Sequence, residues 1–339
     1  MSGVIRNPMV VVEICTDPAP LPRRRPLPDD GRQAIPRRKF DDPAVTAKGE
    51  ARAHVRLRRL ETLWINTGTL CNIACTHCYI ESSPRNDRLA YITLAETLPY
   101  LDEAAALGTA EIGFTGGEPF MNPEIGALLT AALERGFRVL VLTNGMKPLT
   151  HRRADLLRLR DRFGERLEIR VSLDHYTAEH HDAERGPGSF ALALEGLRWL
   201  CAEGFSTAVA GRTRWGEAMA DERAGYAALF AREGLPLDAA DPHRLVLFPE
   251  MDEHADVPEI TTACWGILDK SPDSVMCASA RMVVKRKDAA RPAVLACTLL
   301  AYDPRFELGE TLADSAADVS LNHPHCARFC VLGGASCSG

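Results

Sequence analysis

No apolar run in the sequence is long enough to span a bilayer, so no segment is a candidate transmembrane helix. A secretory signal is also missing. The short apolar patch Met9-Val10-Val11-Val12 stops at Glu13, without a charged start, a long apolar stretch or a small-residue cleavage site. The expected location is therefore the cytoplasm. There is no surplus of positive charge: 40 Lys and Arg stand against 46 Asp and Glu, a formal net charge of −6. Nothing in that balance draws the chain as a whole to nucleic acid or an anionic membrane. No internal repeat is present. The remainder is ordinary for a soluble globular protein, with 46% hydrophobic and 25% charged residues. A chain of 339 residues suffices for one large domain and a smaller one.

Cysteine, by contrast, is plentiful. There are eleven: three between Cys71 and Cys78, six between Cys264 and Cys337, and Cys15 and Cys201 standing apart. Without a secretory signal, such clustering points to metal rather than to disulfides. Cys201 follows Leu194, Leu197 and Trp199 on an expected helix and reads as a small buried apolar side chain.

Residues 1–55 read as a flexible arm. Pro20, Pro22, Pro26, Pro28 and Pro36 break regular structure, and Arg23–Arg25 and Arg37–Lys39 form basic runs. No aromatic residue is interleaved with them, so a solvated tail is expected rather than a phosphate-binding one. From residue 56 strands and helices alternate. Strands are expected at 63–67, 110–115, 138–143, 167–173, 206–211 and 244–248, with helices at 94–107, 125–135, 154–163, 190–203 and 222–233. This alternation predicts an α/β fold with a parallel sheet, of an extent that fits a partial (βα)6 barrel over 56–250. Beyond Pro249 helical periodicity fades and short strands such as 282–285 are expected. Residues 251–339 read as a small cysteine-rich domain held together by metal.

The segment Cys71-Asn72-Ile73-Ala74-Cys75-Thr76-His77-Cys78-Tyr79 follows the first strand, at the end of the sheet where such folds keep their active sites. Zinc sites normally take four ligands in two separated pairs. Three closely spaced thiolates instead suit three irons of a 4Fe–4S cube, leaving the fourth iron open. Cys-x3-Cys-x2-Cys at this place resembles the radical S-adenosylmethionine (AdoMet, SAM) superfamily. The later motifs come in that superfamily's order: Gly116-Gly117-Glu118-Pro119 after the second strand, then Ser172 and Asp174 ending the fourth. The stretch from Ser172 through His181-Asp182, Arg185-Gly186 and Gly188-Ser189-Phe190 is similar to members that carry extra clusters, among them sulfatase-maturing and peptide-modifying enzymes.

The resemblance implies roles residue by residue. Cys71, Cys75 and Cys78 would be catalytic and hold the cluster. The Gly-Gly-Glu-Pro motif would meet the methionine amino group, its glycines letting backbone approach the ligand. Ser172 and Asp174 would meet the ribose, His77 would lie near the adenine, and Arg185 would contact the AdoMet carboxylate. Tyr79 and Asn144 complete the implied cofactor contacts. Taken singly, these residues have plainer readings, such as a turn for Gly116-Gly117 and a cap for Ser172.

The last cysteines, Cys264, Cys277, Cys297, Cys326, Cys330 and Cys337, resemble the auxiliary-cluster domains called SPASM or, when shortened, Twitch. They would ligate one auxiliary 4Fe–4S cluster with two cysteines to spare, or two clusters with three ligands each. The tail reads Cys-x3-Cys-x6-Cys, one cysteine short of the full SPASM set. Structural zinc and free buried thiols stay open as alternatives. Asp252, His254, His323 and His325 read as exposed loop residues before they read as extra ligands.

The expected activity is reductive cleavage of AdoMet to a 5′-deoxyadenosyl radical, which takes hydrogen from a substrate. A peptide or protein side chain is the first candidate, for oxidation or cross-linking. A small-molecule cofactor or natural-product precursor is the second, and a non-catalytic iron–sulfur or zinc protein a third. A reductant such as flavodoxin or ferredoxin is the partner the resemblance implies.

Overall fold

The computed structural model describes residues 38–252 and 254–334. Residues 1–37 of the expected arm, Cys15 within them, and Cys337 lie outside this range. The strands are β1 (His54–Val55), β2 (Thr62–Asn66), β3 (Glu111–Thr115), β4 (Arg138–Thr143), β5 (Leu167–Ser172), β6 (Ser206–Thr213), β7 (Leu245–Pro249), β8 (Ala280–Val284), β9 (Ala293–Leu295), β10 (Glu307–Gly309) and β11 (Val319–Ser320). The helices are α1 (Leu94–Ala106), α2 (Ile125–Glu134), α3 (Lys147–His151), α4 (Arg153–Phe163), α5 (Ala178–Arg185), α6 (Ser189–Ala202), α7 (Met219–Glu233) and α8 (Cys264–Ile267). Among the described residues, no helix is long and apolar enough to cross a membrane.

Among the described residues, a sheet of nine strands runs β10-β9-β8-β2-β3-β4-β5-β6-β7. From β8 to β7 every neighbour is parallel, while β9 and β10 add antiparallel edges. The α/β architecture with a parallel central sheet is therefore as expected, and the six strands and five long helices of the barrel fall within a few residues of their expected places. Strands of such a sheet are buried on both faces, so they read as apolar runs rather than alternating ones. Here the two faces have different covers. Leu63, Ile65, Val139 and Val141 pack beneath the helices, whereas Trp64, Leu140, Met282 and Val284 pack against residues from the C-terminal third. The helix α1 begins at a reciprocal cap: Thr93 accepts from the Glu96 N–H, and Glu96 accepts from the Thr93 N–H.

Two boundaries differ from the expectation. The described part of the segment expected as a separate domain from 251 joins the same sheet, because its strand β8 pairs in parallel with β2 from Thr62↔Ala280 to Ile65↔Val283. The arm expected to run to residue 55 is ordered against this same segment from Phe40 onward. Phe40 is buried, and β1 pairs with β11. The anchor is Arg52, fully buried. Its guanidinium meets Glu259 at 2.5 Å and donates to the carbonyls of Asp42, Val45 and Leu321 at 2.7–3.3 Å. Glu259 also accepts from the Phe40 and Ala47 N–H groups, both at 2.7 Å.

Removing one partner of a buried ion pair strands the other charge, at a cost of about 3–5 kcal/mol. Arg52→Met is expected to lower the urea midpoint by an amount of that order, whereas Arg56→Met, at an exposed pair with Asp318, should leave it nearly unchanged. Equal midpoints for the two variants would contradict the anchoring role.

Candidate active site

The carboxyl ends of β2 to β6 open into one cavity. It is lined by Cys71, Cys75, His77, Cys78 and Tyr79 from the loop after β2, and by Gly116 and Gly117 after β3. Thr143 and Asn144 come from the end of β4, Ser172 and Asp174 from the end of β5, Arg185 from α5, and Gly211 and Arg212 from β6. Of the residues expected to hold the first cluster and AdoMet, all line this cavity except Glu118 and Pro119.

Those two sit behind it. Pro119 is buried and opens a short 3₁₀ turn (Pro119–Met121). Glu118 is buried, and its carboxylate turns toward the protein. One oxygen accepts from Thr143 Oγ1 at 2.8 Å and from the Phe120 N–H at 3.2 Å; the other accepts from the Asn144 N–H at 2.8 Å. Its two oxygens thus clasp the end of β4. The two glycines also serve the protein's own backbone. Gly116 has φ +148°, and a Cβ there would stand 2.5 Å from the Gly68 carbonyl oxygen; one on Gly117 would stand 2.3 Å from that of Leu70. The Gly117 and Glu118 N–H groups donate to those same carbonyls, at 2.8 and 3.1 Å. Close approach demands glycine, but the partner is the cysteine loop.

Asn144 continues the chain of contacts. Its Nδ2 donates to Asn72 Oδ1 at 2.8 Å and lies 3.8 Å from Cys71 Sγ. Cys71 is buried, and burial, aided by the charges of Glu118, Cys75 and Cys78, pushes its thiol up to about 12. Burial also raises Cys75, against the pull of Arg185. Bare thiolates are thus disfavoured in this cavity, and a cationic metal group would supply the missing stabilisation. Three thiols from one loop fit a cluster that keeps one iron open.

Arg185 and Asp174 form a two-pronged pair, Nε to Oδ2 and Nη2 to Oδ1, both at 2.8 Å. Burial alone would raise Asp174, but the guanidinium outweighs it and holds the carboxylate below its ordinary range. The pair uses two of the five guanidinium N–H groups, and the rest remain for a ligand. Beneath it, His181 Nδ1 accepts from the Asp174 N–H at 3.1 Å, and burial brings His181 down to about 4, so its ring stays neutral.

His77 is held from two sides. Arg214 Nη2 lies 3.0 Å from its Nε2, and Glu184 Oε2 lies 2.9 Å from its Nδ1. Arginine has no acceptor, so Nε2 accepts and Nδ1–H donates to the carboxylate. Thr143, Glu184, Arg212 and Arg214 were not read from the sequence. Arg212 had a usable signal, since it ends a strand at the same rim as Ser172.

A second, smaller cavity gathers Cys277, Cys297, Cys326 and Cys330. Burial pushes Cys277 up to about 11 and Cys326 up to about 12, as it does in the first site. Cys264 does not line this cavity; its Sγ lies 3.4 Å from the Thr261 N–H and 3.5 Å from Oγ1. His323 and His325, expected as exposed loop residues, are buried. Cys201, expected to be buried, is half-buried and packs against the helical core. Among the described residues, all nine cysteines are free of disulfides.

Residues 65–213 match the family model described as the Radical SAM superfamily. Over that stretch the chain is similar to the superfamily. The antilisterial bacteriocin subtilosin biosynthesis protein AlbA of Bacillus subtilis is 33% identical over 141 residues, covering 41% of this chain and 30% of that protein. Mycofactocin maturase MftC of Mycobacterium ulcerans is 32% identical over 138 residues, covering 41% and 36%. An AdoMet-dependent heme synthase of Methanosarcina barkeri is 34% identical over 131 residues, covering 38% and 36%. The chain spans about a third of the length of the curated relatives it matches. In fold it resembles Streptococcus suis SuiB bound to S-adenosylmethionine, with a TM-score of 0.55, 11% identity, and coverage of 74% and 63%. It also resembles anSMEcpe with bound AdoMet, with a TM-score of 0.55, 13% identity, and coverage of 77% and 81%. Members of the superfamily use a 4Fe–4S cluster and AdoMet.

Burial dominates Glu118 and raises it from 4.5 to about 7 despite its three donors. Between those values the folded state binds more protons than the unfolded one, so this group's contribution makes stability fall as pH rises from 4.5 to 7. Urea midpoints across this range should show that component in the wild type and not in Glu118→Gln, whose amide cannot titrate. Identical pH slopes would contradict the assignment.

Proposed function

We propose that the chain is a radical SAM enzyme that oxidises or cross-links a side chain of a peptide or protein. The observation that carries this reading is the joint position of Cys71, Cys75, Cys78, Asp174 and Arg185 on one cavity at the carboxyl rim of a parallel sheet. Bound there, a 4Fe–4S cluster and AdoMet supply a 5′-deoxyadenosyl radical by one-electron cleavage of a carbon–sulfur bond. The residues of the chain bind, orient and shelter. Cys71, Cys75 and Cys78 provide the thiolates. Arg185, held by Asp174, presents positive charge suited to a carboxylate, and Ser172 and Asp174 offer oxygens suited to ribose hydroxyls. His77 and Tyr79 supply rings beside them. Ile73, Leu142, Phe248 and Phe329 give the cavity apolar walls that keep water from a reactive centre.

The substrate class rests on two supports. AlbA and MftC are, by name, a bacteriocin biosynthesis protein and a maturase, and a SuiB structure holds its precursor peptide SuiA. In this chain an open cleft shares His77, Cys78, Tyr79, Met251 and Leu299 with the cavity and continues outward past Arg88, Arg214, Glu250 and Asp252. A groove with both charge signs suits an extended peptide better than a small apolar molecule. Within this proposal, Cys277, Cys297, Cys326 and Cys330 ligate an auxiliary 4Fe–4S cluster of the SPASM/Twitch kind, Cys264 stands aside, and a flavodoxin or ferredoxin in the cytoplasm donates the electron.

Full-length protein, reconstituted anaerobically and reduced with dithionite, is expected to release 5′-deoxyadenosine and methionine from AdoMet. Cys75→Ala should fall to background, and the triple alanine variant at Cys71, Cys75 and Cys78 should still carry iron. Mass-detected deoxyadenosine at the wild-type rate from Cys75→Ala would overturn the first site. An iron-free triple variant would overturn the second.

A further inference from the structure

We propose that His175, His180 and Glu217 form a binding site for a divalent transition-metal ion, zinc above all, separate from both cysteine groups. One donor atom from each residue lies within 4.8 Å of the other two. His175 stands three residues past β5, His180 is in the first turn of α5, and Glu217 is in the loop between β6 and α7. The topology thus brings two imidazoles and a carboxylate together at the sheet rim, beside the cavity and not on it. Two imidazoles and a carboxylate form a recurrent zinc set that leaves a fourth position for water.

One donor pair already has the spacing an ion needs. Zinc bonds of about 2.0–2.1 Å at tetrahedral angles set neighbouring donors about 3.3 Å apart. His175 Nε2 and Glu217 Oε1 are 3.3 Å apart. Outer partners are in place for both. In the metal-free chain His175 Nδ1 accepts from the Thr177 N–H at 3.1 Å, so Nε2 carries the ring proton toward Glu217. Metal binding at Nε2 requires the other tautomer, whose Nδ1–H would donate to Thr177 Oγ1, 2.8 Å away, while Tyr176 OH donates to the second Glu217 oxygen at 2.9 Å. Trp215 stacks on the His180 ring at 5.1 Å and meets His175 edge-on at 4.6 Å, so a rigid aromatic wall fixes both imidazoles.

A simple clasp between His175 and Glu217 explains two of the three residues. It does not explain why a ring nitrogen of His180 joins them. The ion would tie the start of α5 to the loops after β5 and β6. The end of that helix carries Glu184 and Arg185, so the tether would position the partners of His77 and Asp174.

The test uses full-length protein with its iron reconstituted anaerobically, so that the clustered thiols are occupied. Calorimetric titration with Zn2+ is expected to show one equivalent bound, weakened at least about tenfold in His180→Ala and in Glu217→Gln. Zn2+ should raise the melting temperature of the wild type and not of these variants. Co2+ should give visible d–d bands without thiolate charge-transfer absorption. His180 is only partly buried, so its truncation should leave the metal-free fold intact, and Glu217→Gln repeats the test with a near-isosteric change. Absence of one-to-one zinc binding, binding unchanged in both variants, or a thiolate-dominated Co2+ spectrum would overturn the site. Because AdoMet cleavage is not read, the result is independent of the proposed radical chemistry.

Discussion

A buried carboxylate holds the cysteine loop against the sheet. Glu118 accepts from Thr143, Asn144 and Phe120, which locks the turn after β3 to the end of β4. Gly117 and Glu118 then donate to the carbonyls of Gly68 and Leu70, and Asn144 reaches Asn72 beside Cys71. One acid thus sets the relative position of three adjacent strands at the rim where the three thiols gather. Ionising such a group without water is costly, and its raised pKa expresses that cost. The fold tolerates it because each carboxylate oxygen has at least one donor.

The same logic recurs along the rim. Asp174 is paired with Arg185, and Glu184 is met by His77, Arg212 and Arg214. Most of the charge in this region is organised in pairs that bridge α5 to the ends of β5 and β6. These pairs keep polar groups satisfied in a cavity whose other walls are apolar, and a low-dielectric pocket of that kind strengthens whatever electrostatic contact a ligand makes there.

The sheet was legible because its parallel strands announce themselves. Segments such as Arg138–Thr143 are short apolar runs bounded by turns, and the intervening helices carry one apolar face. The cavity was legible because cysteines, glycines and Asp174 stand at the carboxyl ends of successive strands. What escaped depends on contacts distant in sequence. Arg52 looks like one more basic residue in a proline-rich arm until Glu259, 207 residues away, buries it. The strand β8 has a plain apolar pattern, but nothing local says that it pairs with β2. Cys264 was grouped with its neighbours by spacing, whereas the chain path sets it on Thr261.

The three-thiol loop as the seat of AdoMet is tested most directly by electron paramagnetic resonance of the dithionite-reduced, reconstituted chain with and without AdoMet. Two reduced-cluster signals are predicted, one of which shifts on adding AdoMet and vanishes in Cys75→Ala while the other persists. A spectrum that AdoMet leaves unchanged, or a shift that survives Cys75→Ala, would contradict the assignment.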